Sequence, residues 1–176
     1  MAEQVGLLEA ADRPARSAGK VVVVAGTRAG VGRTTVAVGL ALALAGAEVR
    51  VALIDLDLRL GNLAPLLGIK PGGDILSALA PGVLDDLGRL RAQLAWGPSG
   101  VDVLPAPPPD DRRSVDPARV ARLMSSLGEL YDYVIVDTAP GVDEVNRAAF
   151  AAAARVLLVV TPELASVEIE PTLPRD

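Results

Sequence analysis

Three short stretches of this sequence hold side chains that could do chemistry: GTRAGVGRTT at positions 26–35, LIDLDLRLGNL at 53–63 and YDYVIVDTAPG at 131–141. In the first, Gly30 and Gly32 permit a positive φ and let the backbone approach an anion closely. The amides of Gly30, Val31, Gly32, Arg33, Thr34 and Thr35 would then converge on phosphate oxygens where a helix begins, an end that favours negative charge. Thr34 holds the hydroxyl position that ligates Mg²⁺ in such loops, and Arg33 stands where a lysine ordinarily reaches the β- and γ-phosphates. An ordinary glycine-rich turn between a strand and a helix has the same composition, so the loop alone leaves both readings open.

The other two stretches supply carboxylates. Asp55 and Asp57 stand two apart at the end of an apolar run, and side chains two apart share a side if the strand continues through them. Such residues can hold a metal through water or orient an attacking water beside a phosphate loop. Solvated loop carboxylates are the competing reading. Asp137 closes the run YVIVD, the Walker-B pattern of apolar residues followed by an acid that reaches the Mg²⁺ shell, directly or through water; an aspartate that merely caps the next turn looks the same. With no cysteine and no histidine in the chain, disulfides, iron–sulfur clusters, thiol zinc sites and imidazole catalysis are excluded. Catalysis or metal binding must rest on carboxylates, hydroxyls, lysine or arginine, and backbone.

These stretches need a frame. Five runs read as strands: Val21–Ala25, Val49–Asp55, Val101–Leu104, Tyr133–Asp137 and Val156–Thr161. Most are continuously apolar, as expected for strands buried on both faces of a parallel sheet. Helices are expected over Thr34–Ala45, Asp116–Leu130 and Val142–Ala154, with Asp116-Pro117 as a cap followed by a first-turn proline. Prolines and glycines cut positions 62–96 into short helical pieces, and PAPPPDDRR reads as an exposed loop. Alternating strands and helices imply a three-layer α/β domain with a mostly parallel sheet, whose ligands bind at the carboxyl ends of the strands. All three chemical stretches fall at such ends.

At 176 residues, 51% hydrophobic and only 2% aromatic, the chain has the size of one domain whose core must be built from Val, Leu, Ile and Ala. A net charge of −5 gives no overall field that would favour nucleic acid. No apolar run reaches the roughly 20 residues of a membrane span. The opening MAEQVGLLEAADRPARSAGK lacks a signal-peptide pattern, so a cytoplasmic location is expected. Residues 1–19 read as a flexible arm, with a short helix expected over Glu3–Asp12, and residues 20–176 as the nucleotide-binding domain.

VVVVAGTRAGVGRTTVAVGLALALA, VALIDLDLRLGNLAPLLG and YDYVIVDTAPGVDEVNRAAFAAAARVLLVVTPELASV together resemble the MinD/ParA group of P-loop ATPases with a deviant Walker A loop, of the SIMIBI-like class. The resemblance covers Lys20 to about Val167. SGVDVLPAPPPDD and DTAPG look most like the CpaE/TadZ branch, associated with pilus assembly and polar localisation. The resemblance implies ATP or ADP with Mg²⁺ as cofactors, a nucleotide-dependent homodimer, and protein partners in an assembly or positioning system, peripheral to a polar or membrane assembly. It places Arg28 at the signature lysine that reaches the partner subunit's nucleotide. Gly30, Val31, Gly32, Thr34 and Thr35 match the loop, and Arg33 takes the in-cis phosphate lysine. Asp57 takes the switch I aspartate that positions water, Asp137 the Walker-B aspartate near Mg²⁺, and Pro140-Gly141 the switch II turn.

Both signature lysines are thus arginines. A broad guanidinium at Arg33 is expected to close on phosphates less well than an ammonium and to reduce hydrolysis. At Arg28 arginine is less costly, because arginine delivered across an interface commonly stabilises phosphoryl transfer. Ala29 replaces a loop glycine and adds strain if its φ is positive. After TPELASV the family continues with further strands, whereas here EIEPTLPRD follows. The run VLLVVT would then lie at or near an exposed apolar edge, so a fragment, or an edge covered by a partner chain, is expected. A weak or switch-like ATPase is one expected outcome, and a non-hydrolysing scaffold that keeps the fold is the other. A DNA-segregating or membrane-oscillating ATPase has less support, since no basic patch or terminal amphipathic helix is visible.

Overall fold

The structure is a computed structural model that describes residues 18–162 apart from 47, 71 and 112. The helix expected over Glu3–Asp12 lies outside the described residues. β-Branched and aliphatic runs build most of a six-stranded sheet: β1 (Lys20–Ala25), β2 (Val51–Leu56), β3 (Ala95–Trp96), β4 (Asp102–Leu104), β5 (Tyr133–Thr138) and β6 (Arg155–Leu158). Their order is β3-β4-β2-β5-β1-β6. Every pairing is parallel except β3 with β4. The five expected strands all appear, with ends shifted by up to three residues. The two-residue β3 was not expected.

Side chains in these strands alternate between two buried faces, and that alternation makes the three layers. Val23, Ala52, Ile54, Val134 and Val136 join one core together with Leu123, Met124 and Leu127 of α5 (Pro117–Leu130). Val24, Val51, Leu53 and Ile135 join a second core with Ala37 and Ala41 of α1 (Arg33–Leu44). Alanine at two buried positions of α1 lets that helix lie close to the sheet. α5 starts as its sequence suggests, the Asp116 side chain accepting from the Ala118 amide and Pro117 occupying the first turn. Short helices α2 (Leu63–Leu67), α3 (Ile75–Ala78) and α4 (Leu87–Arg91) fill the proline- and glycine-cut stretch between β2 and β3. α6 (Glu144–Ala152) completes the set and packs beside α5.

Gly19, assigned from sequence to the end of the arm, is fixed: its amide donates to the Gly128 carbonyl at 2.8 Å. β6 ends the sheet order, and Val156, Leu157 and Val160 are exposed. Among the described residues, no helix is long and apolar enough to cross a membrane.

Candidate functional site

The sheet order brings β2, β5 and β1 side by side, and the three chemical stretches leave from their carboxyl ends. Gly30 and Gly32 take φ values of 80° and 97°, which a glycine adopts without the steric cost of a Cβ. Ala29 does not share that conformation: Ser99 is the only non-glycine residue with positive φ among those described. The strain expected at Ala29 therefore does not arise. Gly32 caps α1 with no side-chain hydrogen bond and no acid in the first turn. No side chain caps the start of α1. An uncapped helix start of this kind carries partial positive charge and open donors.

Arg33, expected to face phosphates, is buried on the same line as Ala37 and Ala41. Its Nε donates to the Thr138 carbonyl at 3.0 Å, and its Nη1 donates to the Arg28 carbonyl. Both hydrogen bonds thus go to backbone oxygens of this chain. Arg28, Ala29 and Gly30 are exposed at the loop rim, Thr35 is exposed, and Val31, Gly32 and Thr34 are half-buried.

The carboxylates divide sharply by environment. Asp55 and Asp137 are register partners across β2 and β5, with only 1% and 2% of their surface exposed. Burial pushes the Asp55 pKa up to about 7, against the pull of the Leu63 amide and with a further push from the Asp137 charge. Its Oδ2 accepts from the Leu63 amide at 3.0 Å and its Oδ1 from the Asp57 amide at 3.3 Å. Burial also raises Asp137, while the Thr34 hydroxyl and the Arg33 guanidinium lower it. Asp137 Oδ1 is buried and has no hydrogen-bond partner. A buried carboxylate oxygen left unpaired is costly unless a cation or donor completes it.

Asp57 differs from the shared-face arrangement open to it on sequence. β2 stops at Leu56, and the chain turns. Asp57 Oδ1 caps that turn, accepting from the amides of Leu60 at 3.0 Å and Arg59 at 3.3 Å. It is half-buried, and its charge still bears on Asp55 and Asp137. No cluster of three or more acids or other metal-binding side chains forms among the described residues. A divalent ion here would need oxygens from phosphate and water. Mg²⁺, which keeps several waters and takes only one or two carboxylates, suits such a site better than Ca²⁺.

Sequence reasoning missed Asn146. This α6 residue is fully buried, and its Nδ2 donates to the carbonyls of Gly141 at 2.9 Å and Ala139 at 3.2 Å. The only available signal was a polar residue three positions after Asp143, whose side chain accepts from the Asn146 amide at 2.7 Å as the α6 cap.

Residues 22–159 match the family model described as the CobQ/CobB/MinD/ParA nucleotide binding domain. The chain is 36% identical over 152 residues to antiactivator FleN of Pseudomonas aeruginosa, covering 84% of this chain and 52% of FleN. It is 30% identical over 152 residues to septum site-determining protein MinD of Bacillus subtilis, covering 85% of this chain and 56% of that MinD. The chain thus spans about half the length of these relatives. A ParA family ATPase from Chlorobium tepidum superposes with a TM-score of 0.76 at 25% identity, covering 86% of this chain and 64% of that one.

Proposed function

Because the chain belongs to the CobQ/CobB/MinD/ParA nucleotide binding domain family, we propose that it binds ATP or ADP with Mg²⁺ at the loop and carboxylates described above. Hydrolysis is weak or switch-like, and the nucleotide state controls homodimer formation. One observation carries this reading: the unpartnered Asp137 Oδ1 lies buried beside the Thr34 hydroxyl, at the head of a helix that no side chain caps. Bound Mg²⁺ would neutralise charge on the phosphate oxygens. Thr34 and Asp137 would hold it, Asp137 through water, with Asp55 as a further carboxylate. The amides of Gly30 to Thr35 bind and orient the phosphates. Asp57 orients the attacking water through Oδ2, since Oδ1 already serves its own turn. Arg28, exposed at the rim, acts on the nucleotide of the partner subunit.

The larger role is subcellular positioning, or pilus or secretion assembly, with protein partners of that system and a place in the cytoplasm at the periphery of a polar or membrane assembly. Two things support it: the relatives named for septum siting and antiactivation, and the CpaE/TadZ-like stretch SGVDVLPAPPPDD. The test is ATP turnover by the purified protein against Asp57→Ala, with a fall on the order of 100-fold expected. Equal rates from both proteins would remove the water-orienting role from Asp57.

A second reading, a scaffold that binds nucleotide without cleaving it, is favoured by the two carbonyl hydrogen bonds of Arg33. Calorimetry with ADP and ATP separates the two. Binding without turnover supports the scaffold, and steady phosphate release counts against it.

A further inference from the structure

We propose that Arg33 and Asn146 are positioning residues that clamp the segment from Thr138 to Gly141 against the head of α1, and that Arg33 acts on this segment instead of on the phosphates. What the clamped segment serves rests on the nucleotide reading above; the clamp itself rests on bonds within this chain.

Arg33, Ala37 and Ala41 are spaced by four, so they share one stripe of α1, and all three are buried. That stripe faces the sheet and carries the Arg33 side chain underneath the helix. A Cβ added at Gly26 would sit 3.1 Å from both Cγ and Cδ of Arg33, so the bare backbone of Gly26 makes room for the arginine stem. From there the guanidinium bonds the Thr138 carbonyl through Nε and the Arg28 carbonyl through Nη1. The two carbonyls are met by two different nitrogens held in one rigid plane. The three donors of a lysine ammonium all sit on one atom, at the end of a flexible stem, which does not reproduce that two-point reach. The arginine is thus matched to the two carbonyls it meets.

Asn146 grips the same segment from α6, donating to Ala139 and Gly141. The Gly141 amide donates to the Gly26 carbonyl at 3.1 Å, and the Thr138 hydroxyl to the Val24 carbonyl at 3.0 Å. The carbonyls of positions 138, 139 and 141 are therefore each held by a side chain, and Pro140 has no amide to hold. Gly141 turns the chain at φ 86°. Thr138 directly follows Asp137, so fixing it fixes the backbone that presents the unpartnered Asp137 oxygen.

Hydrogen exchange at the amides of Thr138, Ala139 and Gly141, read together with calorimetry and steady-state kinetics, tests the clamp in Arg33→Ala, Arg33→Lys and Asn146→Ala. In all three, exchange at these positions should rise about tenfold or more while α5 stays protected. Arg33→Lys should fail to rescue Arg33→Ala. Nucleotide affinity of Arg33→Ala should stay within about threefold of the parent, whereas loss of a direct charged phosphate contact would weaken it about 10- to 100-fold. Its kcat should fall at unchanged KM. Unchanged exchange in Arg33→Ala overturns the clamp, as does collapsed affinity with exchange intact. If the parent protein binds neither ADP nor ATP, the nucleotide reading fails, and the exchange data alone still decide the clamp. Should Asn146→Ala not fold, the two Arg33 variants decide it.

Discussion

Replacing Asp55 with asparagine should change how stability responds to pH. Asp55 is 1% exposed, and burial raises its pKa from the ordinary 3.8 to about 7. In the unfolded chain it ionises near the ordinary value, so between pH 4 and 7 the folded protein holds a proton that the unfolded chain has released. A raised carboxylate contributes stability that is fully present below pH 4 and is lost as pH climbs through about 7. A shift of about 3 pH units at 1.36 kcal/mol each amounts to about 4 kcal/mol over the whole window, of which about 3 kcal/mol falls between pH 5 and 8. Asparagine cannot ionise and carries only one acceptor oxygen. It leaves either the Leu63 or the Asp57 amide unpaired, at a cost of about 1–3 kcal/mol that does not vary with pH. The variant should therefore lose stability at pH 5, gain on the parent up to about pH 7 and level off towards pH 8. Urea denaturation in magnesium-free buffer at several pH values measures this, since midpoint and slope give the free energy at each. A difference between the two proteins that stays constant within about 1 kcal/mol from pH 5 to 8 would refute the desolvation argument.

Two further outcomes are expected. Asp137→Asn should abolish the Mg²⁺-dependent part of nucleotide binding, weakening it about 10- to 100-fold; calorimetry with and without Mg²⁺ checks this, and an unchanged metal increment tells against Asp137 as a ligand. Gly61→Ala would place a Cβ 2.4 Å from Ala106 Cβ, 2.5 Å from Asp55 Oδ1 and 2.6 Å from the Asp57 carbonyl. It should cost about 1–3 kcal/mol and lower Tm by several degrees, whereas an unaltered melt would show that the turn after β2 is looser than described.

The frame was legible because its strands are continuous aliphatic runs, and burial on both faces leaves that signature in the chain itself. The two-residue β3 was not, since Ala95 and Trp96 pair with β4 through backbone bonds that need no special side chains. Ends proved less legible than centres. The expected strand from Val49 begins at Val51, because Val49 instead forms a bridge with Gly46. The expected helix Val142–Ala154 begins at Glu144, because Asp143 caps it. Glycine positions 30 and 32 could be read directly, as their φ values depend on local sterics. The destination of Arg33 could not: its acceptor Thr138 is 105 positions away, and only the folded sheet brings them together. Asn146 was hidden for the same reason, as a polar residue inside a helix ordinarily faces water.

The adjacency of β2, β5 and β1 has one more consequence. Neighbouring strands stand about 4.8 Å apart whatever side chains they carry, so the sheet works as a ruler. The glycine loop and both buried acids are ruled off along it from adjacent lines. The strand spacing sets how far apart the loop and the acids stand, and Arg33 adds the bond that holds the segment after Asp137 in place. The scaffold keeps the distances, and the side chains are left to vary the chemistry.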